Sequence, residues 1–344
     1  EGFKGLLSSN ATLDELTIAD DTGVWFTLRD VELDWSRAAL FSGRVEINRI
    51  TAGEILFDRL PVTEATTALP APEATPFSLP DLPVSIDIGA IEAKRVHLGA
   101  PVLKLGEAVD LSLSGSANLA GGSGAAMLGI QRLDAAEGAF TVDVSFDGPT
   151  EVLDLDLSLT EGTGGLIATL ANLPGAPALS LTAKGAGPLD DFTANIALAT
   201  QGKDRLTGTV ALRAKVDPDA PNAPTPRAFT TDLSGDLTPL FSAEYARFFG
   251  PSSTLQARGQ SFPAGGFELE QFTLSTQTVS MVGAANIGAD GLPQSFALSG
   301  SLKSLDGRPT LLPFGLARSQ VNKALIIANY DAATDDSWTA LIDV

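Results

Sequence analysis

Two fourteen-residue segments of the chain share one pattern of apolar and polar positions. Residues 44–57 read RVEINRITAGEILF, and residues 85–98 read SIDIGAIEAKRVHL. Repetition of this kind predicts an array in which each unit buries its apolar face against its neighbours. Six apolar positions coincide when the segments are aligned: Val45 with Ile86, Ile47 with Ile88, Ile50 with Ile91, Ala52 with Ala93, Ile55 with Val96, and Phe57 with Leu98.

The spacing within each unit mixes steps of two and three residues. Strict alternation keeps side chains on one face of a strand, whereas the step from Ile47 to Ile50 would move them to the other face. An extra residue, in a bulge or a corner, restores the original face. Each unit is therefore predicted to be a short strand, a corner and a second strand that face one interior. Weaker echoes of the pattern begin at Leu13 and Leu269.

Short runs of strict alternation occupy much of the remaining chain. They predict strands with one buried and one hydrated face. The 34 glycines and 21 prolines fall mostly between the runs, where turns are expected. The runs lie at 13–18, 111–113, 141–146, 153–159, 179–181, 210–212 and 296–298.

These patterns predict an all-β fold. We expect an elongated, curled, repetitive β-sheet that forms a groove with an apolar inner face, accompanied by one or two short helices. A single β-rich region is expected over residues 1–344, with repeat units near 44–57 and 85–98.

Three segments depart from the strand pattern. Residues 63–83 are rich in proline, alanine and threonine, which predicts an exposed loop. Residues 238–249 are predicted to form a short helix that stops at Gly250. Residues 36–43 predict a helical turn, and residues 318–326 fit either a strand or a helix.

The charge of the chain narrows the classes of partner. Its 42 acidic and 22 basic residues give a net charge of −20. Nucleic-acid binding depends on basic side chains that neutralise phosphates, so no nucleic-acid partner is expected. An anionic membrane surface would also repel the chain, so lipid contact through a basic patch is not expected. Solubility is the simplest consequence of this charge.

The sequence contains no cysteine, which removes thiol catalysis, thiolate metal sites and disulfides. It begins at Glu1 and has no run of about 18 apolar residues that would span a membrane. The expectation is a fragment or mature piece of a longer protein, from which a membrane anchor has been removed.

Candidate catalytic residues are few. His97 is the only histidine, and a solvent-facing strand residue is a simpler interpretation than a catalytic base. Asp154 and Asp156 share a strand face that would bind calcium weakly, although such faces are more often only hydrated. The glycine-rich stretches at 121–124 and 162–165 lack the following residues of a phosphate-binding loop. No enzyme activity, cofactor or metal is therefore predicted.

A further pattern of positions runs through the first sixty residues. It consists of Leu13, Leu16, Ile18, Asp20, Asp21, Gly23, Trp25, Leu33, Asp34, Trp35, Gly43, Arg44, Val45, Ile47, Ile50, Ala52, Arg59, Leu60 and Pro61. The second repeat continues the pattern with LPDLPVSIDIGAIEAKRVHLG at residues 79–99, and the pattern is weaker beyond. With these positions the first hundred residues resemble the amino-terminal region of the TamB family, the inner-membrane subunits of the bacterial translocation and assembly module.

The resemblance implies a place among AsmA-like, bridge-type lipid transport proteins. Such a protein lies in the periplasm, is anchored in the bacterial inner membrane, and has a curled sheet with an apolar lining. Its carboxy-terminal domain meets an outer-membrane barrel partner of the TamA/BamA type. The implied functions are phospholipid transport between the two membranes and support of outer-membrane protein assembly. Both the anchor and the carboxy-terminal domain are expected to lie outside this chain.

The lining of the groove is predicted from the apolar positions of three segments. An open sheet that is not sealed by protein would leave these side chains to phospholipid acyl chains, whereas a closed sandwich or barrel would use them as its core. Both arrangements fit the pattern alone, and the resemblance favours the groove. The predicted lining residues are Val45, Ile47, Ile50, Ile55, Phe57, Ile86, Ile88, Ile91, Val96, Leu98, Leu153, Leu155 and Leu157.

Two further functions remain open at this point. A scaffold or chaperone would hold the strands of client barrel proteins at a sheet edge. A carbohydrate-active enzyme on a β-fold is the more distant alternative, because no pair of carboxylates stands out among the 42 acidic residues.

Overall fold

A computed structural model describes residues 1–5, 8–62, 82–134, 137–215, 225–313 and 318–344. Strands account for 64% of the described residues and helices for 8%, which confirms the predicted all-β class. Eighteen strands belong to open β-sheet, and two more form a separate small ladder. The described residues divide into two compact units, of which the first comprises those up to residue 182 and the second those from residue 183 to residue 344.

The first unit contains eight complete strands and three short helices. The strands are β1 (Asn10–Asp20), β2 (Gly23–Ser36), β3 (Arg44–Phe57), β4 (Ser85–Leu98), β5 (Val109–Ala120), β6 (Ser123–Arg132), β7 (Gly138–Asp147) and β8 (Val152–Glu161). The helices are α1 (Arg37–Leu40), α2 (Ala100–Leu103) and α3 (Leu166–Leu170). Residues of β9 (Leu179–Pro188) belong to both units.

The second unit contains the other strands and one α-helix. The strands are β10 (Asp191–Thr200), β11 (Lys203–Ala214), β12 (Arg227–Gly235), β13 (Ser253–Ser261), β14 (Phe267–Ser275), β15 (Val279–Ile287), β16 (Pro293–Lys303), β17 (Thr310–Leu311), β18 (Gln320–Val321), β19 (Lys323–Asp331) and β20 (Asp335–Asp343). The helix is α4 (Ala246–Phe249).

Strand pairing follows chain order within each unit. In the first unit each strand from β1 to β8 pairs with the next, and every pair is antiparallel except β3 with β4, which is parallel. In the second unit β10 to β16 pair consecutively, followed by β19 and β20, all antiparallel. Strands β17 and β18 form the separate ladder.

The helical structure differs from the prediction in number and continuity. The described residues contain four short α-helices, where one or two were predicted. The segment 238–249 is divided into two 3₁₀ turns, Thr238–Leu240 and Ala243–Tyr245, and α4, because Phe241 and Ser242 adopt extended conformations between them. None of the described helices is long and apolar enough to span a membrane.

The other segments with separate predictions can be placed as follows. Helix α1 lies within the helical turn predicted at 36–43. Residues 318–326, which fitted either state, contribute to strands β18 and β19. Most of the predicted loop, residues 63–81, lies outside the described residues.

Candidate functional site: an apolar face of the first unit

The two repeated segments are the parallel strands β3 and β4, and their sequence alignment is also their pairing register. The matched residues lie side by side: Ile47 opposite Ile88, and Ile50 opposite Ile91. Val45, Ala52, Ile55 and Phe57 likewise lie opposite Ile86, Ala93, Val96 and Leu98. Each apolar residue of one repeat therefore lies beside its counterpart in the other repeat. Together the two strands begin continuous apolar rows across the sheet.

Bulges occur at the three-residue steps. Ile88 and Ile91 lie opposite Ala117 and Gly115, so two residues of β4 face only one residue of β5 between these pairs. The same shift recurs between Ala93 and Val96. In the second unit, the predicted echo has a bulge between Leu269 and Phe272. The extra residue in each case keeps the apolar side chains on one face.

Gly89 occupies the first bulge of β4 and leaves no room for a side chain. A Cβ at this position would lie 2.8 Å from the backbone oxygen of Asn48 on β3. We expect Gly89→Ala to lower the free energy of unfolding by about 1–3 kcal/mol, because the paired backbones must separate. Urea denaturation would measure the change.

Gly106 provides the control, since a Cβ there would meet no atom within 4 Å. Gly106→Ala is expected to change the free energy of unfolding by less than about 0.5 kcal/mol. Equal destabilisation by the two substitutions would show that the close approach at Gly89 is not the cause.

The apolar face continues from β4 to β8. In one row Ile50 and Ile91 are followed by Gly115, Leu128, Val142 and Leu157; in the next, Ile47 and Ile88 are followed by Ala117, Ala126, Val144 and Leu155; and in a third, Val45 and Ile86 are followed by Leu119, Gly124, Phe146 and Leu153. The predicted lining residues of β8 thus belong to the same face as those of β3 and β4.

The sequence-based list omitted the strands that join these segments. The alternating runs at 111–113 and 141–146 were visible, but assigning them to this face requires the strand register. Strand β6 gave a weaker signal because glycine, alanine and an outward Met127 interrupt its alternation. The missing members of the face include Leu113, Leu128, Ile130 and Phe140.

All thirteen predicted lining residues are half-buried. The fully buried residues of β3 to β8 are only Ala52, Ala93, Val109, Phe146 and Glu161. A sheet face covered by a second layer of protein would bury its central isoleucines and leucines completely. The described residues therefore leave apolar surface accessible on this face.

The opposite face carries a ladder of ion pairs across β1 to β5. Arg29 contacts Glu15 at 2.8 Å and Glu54 at 3.2 Å. Arg95 contacts Glu54 at 3.1 Å and Asp110, also at 3.1 Å. Hydrogen bonds from Arg29 and Arg95 hold the pKa of Glu54 below its usual value. This face is polar and hydrated, in contrast to the apolar one.

His97 lies on this polar face, opposite Asp110 of β5. Its Nδ1 lies 2.7 Å from Asp110 Oδ1. Arg95, and to a smaller extent His97, lower the pKa of Asp110 through hydrogen bonds to its carboxylate. The histidine therefore adds a hydrogen bond to Asp110 at the β5 end of the ladder.

Asp20 and Arg59 join the β1–β2 turn to the end of β3. Arg59 donates to both carboxylate oxygens of Asp20, at 2.6 and 2.8 Å, and also to the backbone oxygen of Gly23. Asp20 accepts two further backbone N–H groups, from Thr22 and Val62. Asp20, Gly23 and Arg59 are among the positions that carry the family resemblance, and the structure brings these three into contact.

No group of three or more acidic or histidine side chains within the described residues is arranged to hold a metal ion. Asp154 and Asp156 lie on the polar face of β8, where they pair across the sheet with Ser145 and Asp143.

The second unit has an apolar face of its own. One row runs from Phe192 on β10 through Leu212, Phe229, Gly259, Leu269, Ala285, Phe296 and Tyr330 to Trp338 on β20. A buried cluster covers part of this unit, where Phe248 and Phe249 of α4 pack with Val279 and Leu302.

Comparison with family models, curated proteins and solved structures found no match to this chain.

Proposed function

We propose that the apolar face of the first unit binds phospholipid acyl chains, and that the chain is part of a TamB-family conduit for phospholipid between bacterial membranes. The supporting observation is the set of uninterrupted apolar rows from β3 to β8, whose large side chains, except Phe146, remain half-buried. At about 4.8 Å between strands, these six strands provide a surface about 24 Å wide.

The chemistry of the face suits a hydrocarbon ligand. In strands β3 to β8, whose residues are all described, these rows contain only hydrocarbon side chains and glycine. Burial of each methylene contributes about 0.8 kcal/mol without directional requirements. An acyl chain would therefore be held by many weak contacts that change little as it slides.

The family resemblance supplies the wider setting of this proposal. The complete protein would be periplasmic and anchored in the inner membrane by a segment outside this chain. It would meet an outer-membrane barrel protein of the TamA/BamA type through a further carboxy-terminal domain, and would also support outer-membrane protein assembly.

Extraction of the purified chain followed by mass spectrometry tests the proposal. Phospholipid is expected in the wild-type extract. The double variant Ile50→Asn, Ile91→Asn is expected to retain about tenfold less, because two adjacent apolar contacts become polar.

The control variant introduces asparagine at the next position of both strands, where the side chains lie on the polar face. The double variant Thr51→Asn, Glu92→Asn should retain wild-type lipid, since these two residues are also neighbours. Circular dichroism would verify that both variants fold. A lipid-free wild-type extract, or equal loss from both variants, would contradict the proposal.

A second candidate function is a scaffold that holds client strands at a sheet edge. It is favoured by β20, where residues Trp338 and Ile342 are 69% and 64% exposed. An accessible strand with apolar side chains can add a further strand by backbone pairing. Crosslinking from position 342 to nascent outer-membrane proteins, rather than to lipid, would favour this function.

A further inference from the structure

A small apolar cavity lies at one end of the proposed lipid-binding face, beneath helix α3. Its volume is about 280 Å³, and nearly all of its surface is carbon. The sheet contributes Leu111, Ile130, Phe140 and Leu159, and the helix contributes Leu166 and Ile167. Ile130, Phe140 and Leu159 are consecutive members of one row of the apolar face, so the cavity continues that face.

Glu161 fixes α3 over the end of the sheet. Its carboxylate accepts the backbone N–H of Ile167 at 2.9 Å and that of Ala168 at 3.2 Å. Ala168 is completely buried, so the helix packs closely where this carboxylate holds it. The carboxylate of Glu161 thus binds groups of the protein itself, and helix α3 covers the end of the apolar face.

Arg132 is the basic residue among those that line the cavity, and its charge is also matched within the protein. Its Nε lies 2.6 Å from Asp134 Oδ1, off the direction of a hydrogen bond, so the two form an ion pair. Its Nη1 donates to the backbone oxygen of Gly164. The paired charges and the carbon lining favour an uncharged alkyl group over an anionic headgroup.

We infer that this cavity receives the methyl end of a lipid acyl chain. The inference rests on the proposed function, and it adds an orientation, with the chain end beneath α3 and the headgroup directed away from it. An apolar cavity of about 150 Å³ is sufficient for benzene, so a cavity of about 280 Å³ accommodates a terminal alkyl segment.

Two photoreactive phosphatidylcholines would test the orientation. One carries a diazirine at the methyl end of its acyl chain, and the other carries it beside the carboxyl group. After illumination of the loaded chain, peptide mapping is expected to locate the methyl-end label on Leu166–Leu170. The carboxyl-side label should map to the sheet away from α3.

A filled-cavity variant provides the specific control. Ile130→Phe is expected to lower methyl-end labelling of α3 by about tenfold. The larger side chain would exclude roughly two methylenes of the acyl chain from the cavity, and their burial accounts for about that change in affinity. Met127→Phe also introduces a phenylalanine on β6, but at an outward position that is 54% exposed and outside the cavity, and should leave labelling of α3 unchanged.

The outcomes separate this inference from the proposed function. Labelling of α3 mainly by the carboxyl-side probe, or labelling of α3 that Ile130→Phe does not reduce, would overturn the orientation while leaving lipid binding intact. Failure of both probes to label any part of the apolar face would overturn both proposals.

Discussion

The double variant Val142→Asp, Leu157→Asp is expected to bind a fluorescent phospholipid about a hundredfold more weakly than the wild type. The two residues are paired neighbours on β7 and β8, in the row that begins at Ile50. Each substitution removes a half-buried apolar contact worth about 1.5 kcal/mol, and the combined loss corresponds to about two decades in affinity. Fluorescence titration of the purified chain would measure it.

The opposite face of the same two strands provides a matched control. Thr141 and Ser158 are also paired neighbours, one position from Val142 and Leu157. Thr141→Asp, Ser158→Asp therefore adds the same charge at the same depth in the sheet, but on the polar side. Full binding by this control, with similar thermal unfolding of both variants, is expected. Retained binding by the apolar-face variant would show that lipid does not extend as far as β8.

The variant Asp20→Asn is expected to be less stable than the wild type at neutral pH. Its free energy of unfolding should also fall less than that of the wild type as the pH is lowered. Hydrogen bonds from Arg59, Val62 and Thr22 hold the pKa of Asp20 far below its usual value of 3.8. A carboxylate with a lowered folded-state pKa stabilises the fold above its unfolded pKa, and this contribution disappears as the pH falls towards the folded pKa. The wild type should therefore lose this contribution progressively below about pH 4.

Urea midpoints measured between about pH 2 and pH 7 would test this prediction. The difference between wild type and Asp20→Asn should be largest near neutral pH and should shrink in acid. Arg49→Ala is the control, because the Arg49–Glu92 pair is solvent-exposed and is expected to contribute little. A midpoint difference that stays constant across the range would exclude Asp20 ionisation as its source.

The repeated segments show how much of the fold the sequence could predict. The match between residues 44–57 and 85–98 located two complete strands, and the three-residue steps correctly indicated bulges. The parallel direction of this pair was not predicted, because an apolar pattern specifies which face is buried and carries no information on strand direction.

The features that the sequence could not predict are contacts between residues distant in the chain. Thirteen lining positions could be proposed from local patterns, but the rows that unite β4 with β8 depend on the register of three intervening strands. The interruption at Phe241 has a similar origin. Helical spacing predicted a continuous helix there, whereas Phe241 leaves the helical conformation and stacks on Phe249 with ring centroids 4.1 Å apart.

The uniformity of the apolar rows has a consequence for the proposed transport of lipid. A hydrocarbon chain lying across Ile91, Leu128 or Leu157 would meet chemically similar groups on either side. Such a surface lowers the barrier equally for forward and backward movement, and it supplies no free energy. Net movement along it would therefore require a difference in lipid chemical potential between the two ends, imposed by whatever loads and unloads them.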